Sequence, residues 1–324
     1  MKTYEGSSKN VHVADDNKSA VFEFTDKYSV FDWGGMPDTL ENKGVALALM
    51  GKIFFELLTK KGISNHYQGL EAAAQGLSNR MKVEAVAVHW PPKTDKGFDY
   101  SFYQTKPTNS LVPLEVIFRW GAPAGSSLLK RYPHVKENER FNKPIIEFTT
   151  KLEDEDRMLT SDEALIVAGI TVTELNRLKE LTTEVATHLK EVLSLMHVEL
   201  WDGKLEWAFD EKRNFKLVDA IGLDELRVSF QNRPLSKEFL RHHYRKTHWY
   251  TKLNEAKDLA AKENGDFKEI CLKRFNSAPE PLPVQVKLAA ETLYTSFAND
   301  LARVFTGTTP FGANISLAHW VREF

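Results

Sequence analysis

The chain has 324 residues, 42% of them hydrophobic and 27% charged, which is enough apolar side chain to bury a full core and enough length for about two domains. That arithmetic excludes disorder, collagen and coiled coil, and 43 Lys and Arg against 45 Asp and Glu, a net charge of -2, leave no overall cationic field to hold a nucleic acid or an acidic membrane. Cys271 is the only cysteine, so neither an intrachain disulfide nor a thiolate metal cage can form.

The opening residues MKTYEGSSKN are polar with no apolar h-region, and the longest apolar run, 45–50, is far too short to span a bilayer. With the single cysteine this points to a cytoplasmic protein. Along 11–32, short apolar and polar alternations (VHV, then SAVFEFT) predict strands that end at the Gly-Gly turn of FDWGGMP. Val45, Leu49, Ile53, Phe54, Leu57 and Leu58 recur at three and four, predicting a helix over 44–61 with Gly62 as its stop. MKVEAVAV (81–88) and LEVIFRW (114–120) read as strands, with 91–111 between them as a surface hairpin or loop near a domain boundary.

A third short apolar stretch occupies 144–148, and Ser161 before Asp162 and Glu163 predicts a helix N-cap. Thr173 and Glu174 open a second helix, in which Leu175, Leu178, Leu181, Val185, Leu189, Val192 and Leu195 keep the helical period for about six turns. Residues 283–305 form a further amphipathic helix, introduced by SAPEPLP and closed by Gly307.

The densest chemical signal is 199–209 (ELWDGKLEWAF), a turn-like EKRN, then 215–221 (FKLVDAI). Asp202, Lys204 and Glu206 share one face of the first strand. A hairpin centred on Lys212 and Arg213 sets Glu206 opposite Asp219, two carboxylates that repel unless a cation lies between them. Mg²⁺, which takes one or two carboxylates plus substrate phosphates, is the natural cation, with Lys204 as a point charge for a phosphate. A solvated ion-pair ladder is the competing reading of the same spacing.

Two Gly/Ser segments point toward anions. EVIFRWGAPAGSS puts Arg119 at a strand end before a loop with Ser126 and Ser127, then Lys130 and Arg131, while EGSSKNV holds Lys9. Neither matches the Walker pattern nor the dinucleotide fingerprint. The run 237–252 (KEFLRHHYRKTHWYTK) reads as a basic solvated helix rather than a metal or nucleic-acid site, and His66 and His89 as structural residues.

In combination these segments resemble the SAICAR synthetase family (phosphoribosylaminoimidazole-succinocarboxamide synthase) nearly end to end. YEGSSKNV is similar to the family's Tyr-Glu-Gly-Lys-x-Lys opening, TDKYSVFD to Asp-x-x-Ser-x-Phe-Asp, and NKGVAL to the Gly-Lys-Gly that starts its first helix. PLEVIFRWGAPAGSSLLKRY resembles the Pro-Leu-Glu-Val-Val-Val-Arg segment with its Ala-Gly-Ser loop, and FTTKLEDEDRMLTSDEA the Thr-Lys-x-Glu stretch with its Ser-capped helix. LWDGKLEW matches Val-Asp-x-Lys-x-Glu-Phe, and LVDAIGLDELR aligns on Ile-Asp-Glu-Ile-Ser-Pro-Asp-Ser-x-Arg. LSKEFLR, PEPLPVQV and VFTG complete the C-terminal part.

The resemblance implies an α+β fold of two lobes related to the ATP-grasp and kinase architectures, expected over 1–112 (nucleotide) and 113–324 (metal and ribonucleotide). It implies an ATP- and Mg²⁺-dependent ligase joining carboxyaminoimidazole ribonucleotide to L-aspartate through an acyl phosphate. Glu206 and Asp219 would hold Mg²⁺, and Lys9, Lys151, Lys204 and Glu206 would bind the nucleotide. Lys204, Asp202 and Arg227 would be catalytic. Ser29, Asp32, Arg119, Ser126, Asp224, Arg227, Lys237 and Arg241 would face the ribonucleotide. The oligomeric state, homo-oligomers included, is left open.

The chain departs from the family at several positions: Ala220 stands for a Glu, Leu223 and Glu225 for the Pro and Ser around Asp224, Glu155-Asp156 for His-Asp, and Ser7 for a Lys. A paralogous amide ligase with another carboxylate or amine, or a non-catalytic nucleotide-binding relative, are the alternatives that these changes raise.

Overall fold

In the computed structural model, which describes residues 1–74, 76–263 and 265–324, the first sheet comes from short alternating segments. They are β1 (Lys2–Glu5), β2 (Lys9–Val13) and β3 (Ser19–Phe24), then, after α1 (Lys43–Lys60), β4 (Tyr67–Leu70) and β5 (Arg80–Glu84). Their antiparallel order is β1-β2-β3-β5-β4. Helix α1 buries one face of this sheet through Ala46, Met50, Ile53 and Phe54, all at most 2% exposed, and ends at Lys61 with Gly62 at a φ of 80°.

The segment expected as a surface hairpin or loop over 91–111 opens with a hairpin, β6 (Lys93–Thr94) and β7 (Gly97–Phe98), followed by α2 (Ser101–Gln104). It is anchored rather than free: Tyr103 is 1% exposed and its hydroxyl donates to His89 O over 2.7 Å.

The second sheet is built from long strands. It comprises β8 (Ser110–Ala122), then, after α3 (Ser127–Arg131), β9 (Glu139–Thr150) and β10 (Met158–Leu159). After α4 (Ser161–Ala168) and α5 (Val172–Ser194) come β11 (Val198–Phe209), β12 (Phe215–Val218), β13 (Leu226–Phe230) and β14 (Arg233–Pro234). Its order is β10-β9-β8-β11-β13-β14, with β12 also on β11. The chain closes with α6 (Ser236–Tyr244), α7 (His248–Glu263), α8 (Phe267–Lys273), α9 (Val284–Thr306) and α10 (Leu317–Glu323). Helix α9 packs on α1, so the C-terminal part covers the back of the first sheet.

The caps explain small shifts from the sequence reading. Thr160, not Ser161, caps α4, and Thr171, not Thr173, caps α5; each hydroxyl accepts from the third residue on, and Glu163 and Glu174 reach back to complete capping boxes. Thr171→Ala is expected to cost about 1 kcal/mol in a urea unfolding curve. The basic run expected as one solvated helix is two, α6 and α7, and it buries Leu240, Tyr244 and Trp249 at 1–3% exposure. Glu238 of this run is also buried, paired with Arg241 and Arg245, and Lys237 and Arg241 face the cleft.

Candidate active site

Strand β11 carries the centre of the site. Its registers set Arg119 of β8 opposite Asp202, and Asp202 opposite Arg227 of β13, so the three charges share one face. Arg119 Nε lies 2.6 Å from Glu147 Oε2 and its Nη1 3.2 Å from Asp202 Oδ2, while Arg227 Nε is 3.4 Å from Asp202 Oδ1. Burial pushes the Asp202 carboxyl up, against the pull of Arg227 and Arg119.

Further along β11, Glu206 lies opposite Glu115 of β8. Lys151 Nζ stands between them, 2.8 Å from Glu206 Oε1 and 3.2 Å from Glu115 Oε1, and Lys204 Nζ is 2.5 Å from Glu115. The opposed carboxylate pair is therefore real, but its partner is Glu115. The register assumed for the hairpin is one residue off: β12 sets Val218, not Asp219, opposite Glu206.

A one-residue slip ordinarily turns a side chain to the other face. Asp219 escapes this because it lies just past β12 with a φ of 66°, a left-handed conformation that breaks the pleat. Its carboxylate pairs with Lys9, and Lys9, Glu206 and Asp219 line one cavity. Burial and the Asp219 charge push Glu206 up to about 7, against Lys151 and Lys9. Burial works to raise Asp219 too, but Lys9, Lys151 and Lys204 outweigh it and hold that carboxyl below the usual range.

Under Asp219 lies His66, 2% exposed, whose Nε2–H donates to Asp219 O over 2.9 Å. Burial lowers His66 from 6.5 to about 4, although the Asp219 carbonyl pulls the other way. Its neutral form is thus favoured in the fold, and the unfolded chain takes up a proton first. The protein should lose stability as pH falls from about 6.5 toward 4, by roughly 3 kcal/mol at the limit. Urea unfolding at pH 7 and pH 4.5 checks this: the pH-dependent loss should shrink in His66→Gln, and an unchanged loss would exclude His66 as its source.

Two cavities flank this charged row. A slot of about 170 Å³ lies between the sheets, walled by Val11, Val13, Phe22, Val83, Val86, Leu111 and Val218 and floored by Lys9, Glu206 and Asp219. A cleft of about 540 Å³ is lined by Ser29, Asp32, Arg119, Asp202, Lys204, Asp224, Arg227, Lys237 and Arg241. Phe31, Asp32 and Ser236 at its wall have φ values of 58°, 63° and 62°, strained backbone of the kind that tertiary structure sustains at functional sites.

The expected residues therefore gather, with one exception. Lys151 joins through Glu206, but Ser126 is 2% exposed and outside the lining of the cleft; its Oγ accepts from Leu128 N–H at 3.4 Å as the cap of α3. The hydroxyl on Arg119 is that of Ser127, at 3.1 Å. Asp224 lines the cleft while gripped from behind by Lys43 Nζ at 2.9 Å and Tyr294 Oη at 2.7 Å.

Sequence reasoning missed Glu115, Lys43, Tyr294 and the whole apolar slot. Glu115 carried a signal, a lone acid inside the apolar run LVPLEVIF, since a charge on a buried strand needs a partner. Tyr294 carried none, lying on the core face of a long helix.

The family model of SAICAR synthetase matches residues 2–256. An Archaeoglobus fulgidus protein provisionally named phosphoribosylaminoimidazole-succinocarboxamide synthase is 38% identical over 301 residues, 86% of this chain and 87% of that one. The Thermoplasma volcanium phosphoribosylaminoimidazole-succinocarboxamide synthase is 31% identical over 285 residues, 80% of this chain and 87% of its own. Among solved structures, a SAICAR synthetase in complex with ADP superposes with a TM-score of 0.61 at 26% identity, covering 86% of this chain and 100% of that one. Fold, charged row and sequence agree that the chain belongs to the SAICAR synthetase family.

Proposed function

We infer that the protein is an ATP-dependent ligase of purine biosynthesis, joining carboxyaminoimidazole ribonucleotide to L-aspartate to give SAICAR, ADP and phosphate. The observation that carries this reading is an apolar slot and a polar cleft on either side of one row of carboxylates and lysines. The slot's apolar lining suits a purine base, and Lys9 at its floor, with Lys151 and Lys204 beyond, supplies cations for the phosphates. Val86 lies on its wall between Ala85 and Ala87, whose N–H groups are bound to Lys18 O and Asn109 O. The solved relative named above holds ADP.

A carboxylate resists attack by an amine because it would have to expel oxide. Phosphorylation converts it to an acyl phosphate, whose leaving group is good. Lys9, Lys151 and Lys204 neutralise the phosphates, while Arg119 and Arg227 grip the anionic ribonucleotide, with Ser29, Asp32, Lys237 and Arg241 along the same cleft. Asp202 holds both arginines in place by its ion pairs.

Mg²⁺ fits the residues present: Glu206, buried, and Asp219, half-buried, are oxygen donors paired with lysines, and although no group of three or more His, Cys, Asp or Glu that could hold a metal occurs among the described residues, Mg²⁺ takes as few as one or two carboxylates. Two carboxylates would hold the ion, with phosphate oxygens and water completing its shell, and it would supply charge neutralisation at the transferred phosphoryl group.

The lobes are proposed as 1–112 and 113–324, since the first sheet ends at Glu84 and the second begins at Ser110. Among the described residues no helix is long and apolar enough to cross a membrane, and a cytoplasmic setting with small-molecule substrates accords with the reading. The retained Asp202, Lys204, Glu206 and Asp219 disfavour a non-catalytic relative. The test is to mix the protein with ATP, Mg²⁺, carboxyaminoimidazole ribonucleotide and L-aspartate and to follow ADP and the succinocarboxamide. Product requiring all four supports the reading, turnover only with another acid–amine pair would make the protein a paralogous ligase, and ATP binding without turnover would remove catalysis.

A further inference from the structure

One carboxyl between the slot and the cleft has no role so far. Glu225 follows β12 on the turn into β13, lines the cleft, and accepts from Lys204 N–H through its backbone oxygen at 3.1 Å. Its Oε2 is buried and hydrogen-bonds to no group among the described residues. Apolar side chains border one side of that oxygen: a Cβ at Gly222 would lie 3.6 Å from it, 3.6 Å from Met50 Sδ and 3.1 Å from Leu47 Cδ2. A carboxylate oxygen left unpaired in such a place costs free energy that a paired one does not.

The charged groups facing it come from both cavities. Asp219 and Lys9 belong to the slot, Asp224 and Lys237 to the cleft. Burial, with Asp224 and Asp219, pushes the Glu225 carboxyl up, against Lys9 and Lys237. Glu225 thus lines the cleft while charged groups of both cavities act on its carboxyl.

An amine arrives as an ammonium ion and is a nucleophile only after losing a proton. The other carboxyls of the cleft are poorly placed to accept it. Glu115, Asp202 and Asp224 are held in ion pairs with lysines or arginines, Asp32 is at the exposed rim beside Lys257, and Asp156 is exposed.

On the ligase reading above, we propose that Glu225 receives the ammonium group of the amine substrate and takes its proton as the amide forms. One N–H bond breaks to the carboxylate, the freed nitrogen lone pair bonds to the acyl carbon, and the C–O bond to phosphate breaks. The second nitrogen proton leaves with the departing phosphate, and Glu225 returns its own to water.

Hydroxylamine tests this, because it is uncharged near neutral pH and needs no proton acceptor before attack. Glu225→Gln is compared with the unmodified enzyme using ATP, Mg²⁺ and carboxyaminoimidazole ribonucleotide with either L-aspartate or hydroxylamine, and with no amine, where carboxylate-dependent ADP release reports phosphoryl transfer alone. The expected result is a loss of kcat with aspartate of about 10²-fold, at least tenfold larger than the loss in hydroxamate formation or in amine-free ADP release, with partial recovery in Glu225→Asp. Equal losses in all three assays, no loss with aspartate, or the selective loss appearing in Asp156→Asn instead, would each overturn the assignment. An unmodified enzyme inactive with every nucleophile would remove the ligase reading itself, a distinct result.

Discussion

Glu206→Ala is expected to lower kcat by about 10³-fold or more with the fold intact, because on the proposed reading it removes one of the two carboxylates that would hold Mg²⁺. The effect should fall on the chemical step: Lys9 and the apolar slot remain, so ATP affinity measured without Mg²⁺ should change little, while the Mg²⁺ dependence of binding should weaken. The fold has reason to survive. Glu206 is a carboxyl that burial and Asp219 have already pushed up to about 7, and Lys151 keeps Glu115 at 3.2 Å when Glu206 is gone. Steady-state kinetics with circular dichroism decides the matter, and near-normal turnover would show that Glu206 is not a ligand of the metal.

Lys43→Ala should act on stability instead, by about 3–5 kcal/mol, the range for breaking a buried ion pair from one side. Lys43 is fully buried with its Nζ 2.9 Å from Asp224, itself 2% exposed on its side chain. Without it, Asp224 keeps Tyr294 at 2.7 Å and Lys237 at the longer distance of 3.5 Å. Lys43, Lys237 and Tyr294 together now hold Asp224 below the usual carboxylate range against the cost of burial. A urea midpoint change within error would mean that Lys237 alone can carry the charge. Because Lys43 opens α1 and Tyr294 lies on α9, this cluster also ties the two helices behind the first sheet to the rim of the cleft. Loss of stability in Lys43→Ala should therefore be accompanied by a higher KM for the ribonucleotide.

The registers explain which parts of the site were legible in the sequence. Asp202, Lys204 and Glu206 could be placed on one face from spacing alone, since the period of a strand is a local property. Their partners could not. Glu206 was matched to Asp219 by counting from the centre of a hairpin, and the turn places it against Val218 instead; the left-handed φ of Asp219, set by what packs around it, then returns the carboxylate to the same cavity. Ser126 shows the same limit from the other side, as its place in the loop was visible but its use as a helix cap was not.

The sequence by itself determined the class of the molecule, most of its longer strands and helices within a few residues, many of the charged residues that gather at the candidate site, and the family to which the chain belongs. These follow from period, caps and motif order, all written along the chain. Only the tertiary structure decided that Glu115 faces Glu206, that an apolar slot from β2, β3 and β5 opens beside Lys9, that Tyr294 from α9 grips Asp224, and that Glu225 is left with an unpaired oxygen. The reason is physical: pairing and burial join residues far apart in the chain, 210 positions for Lys9 and Asp219 and 250 for Glu41 and Glu291, and no local pattern records which distant side chain will fill, or fail to fill, a given valence.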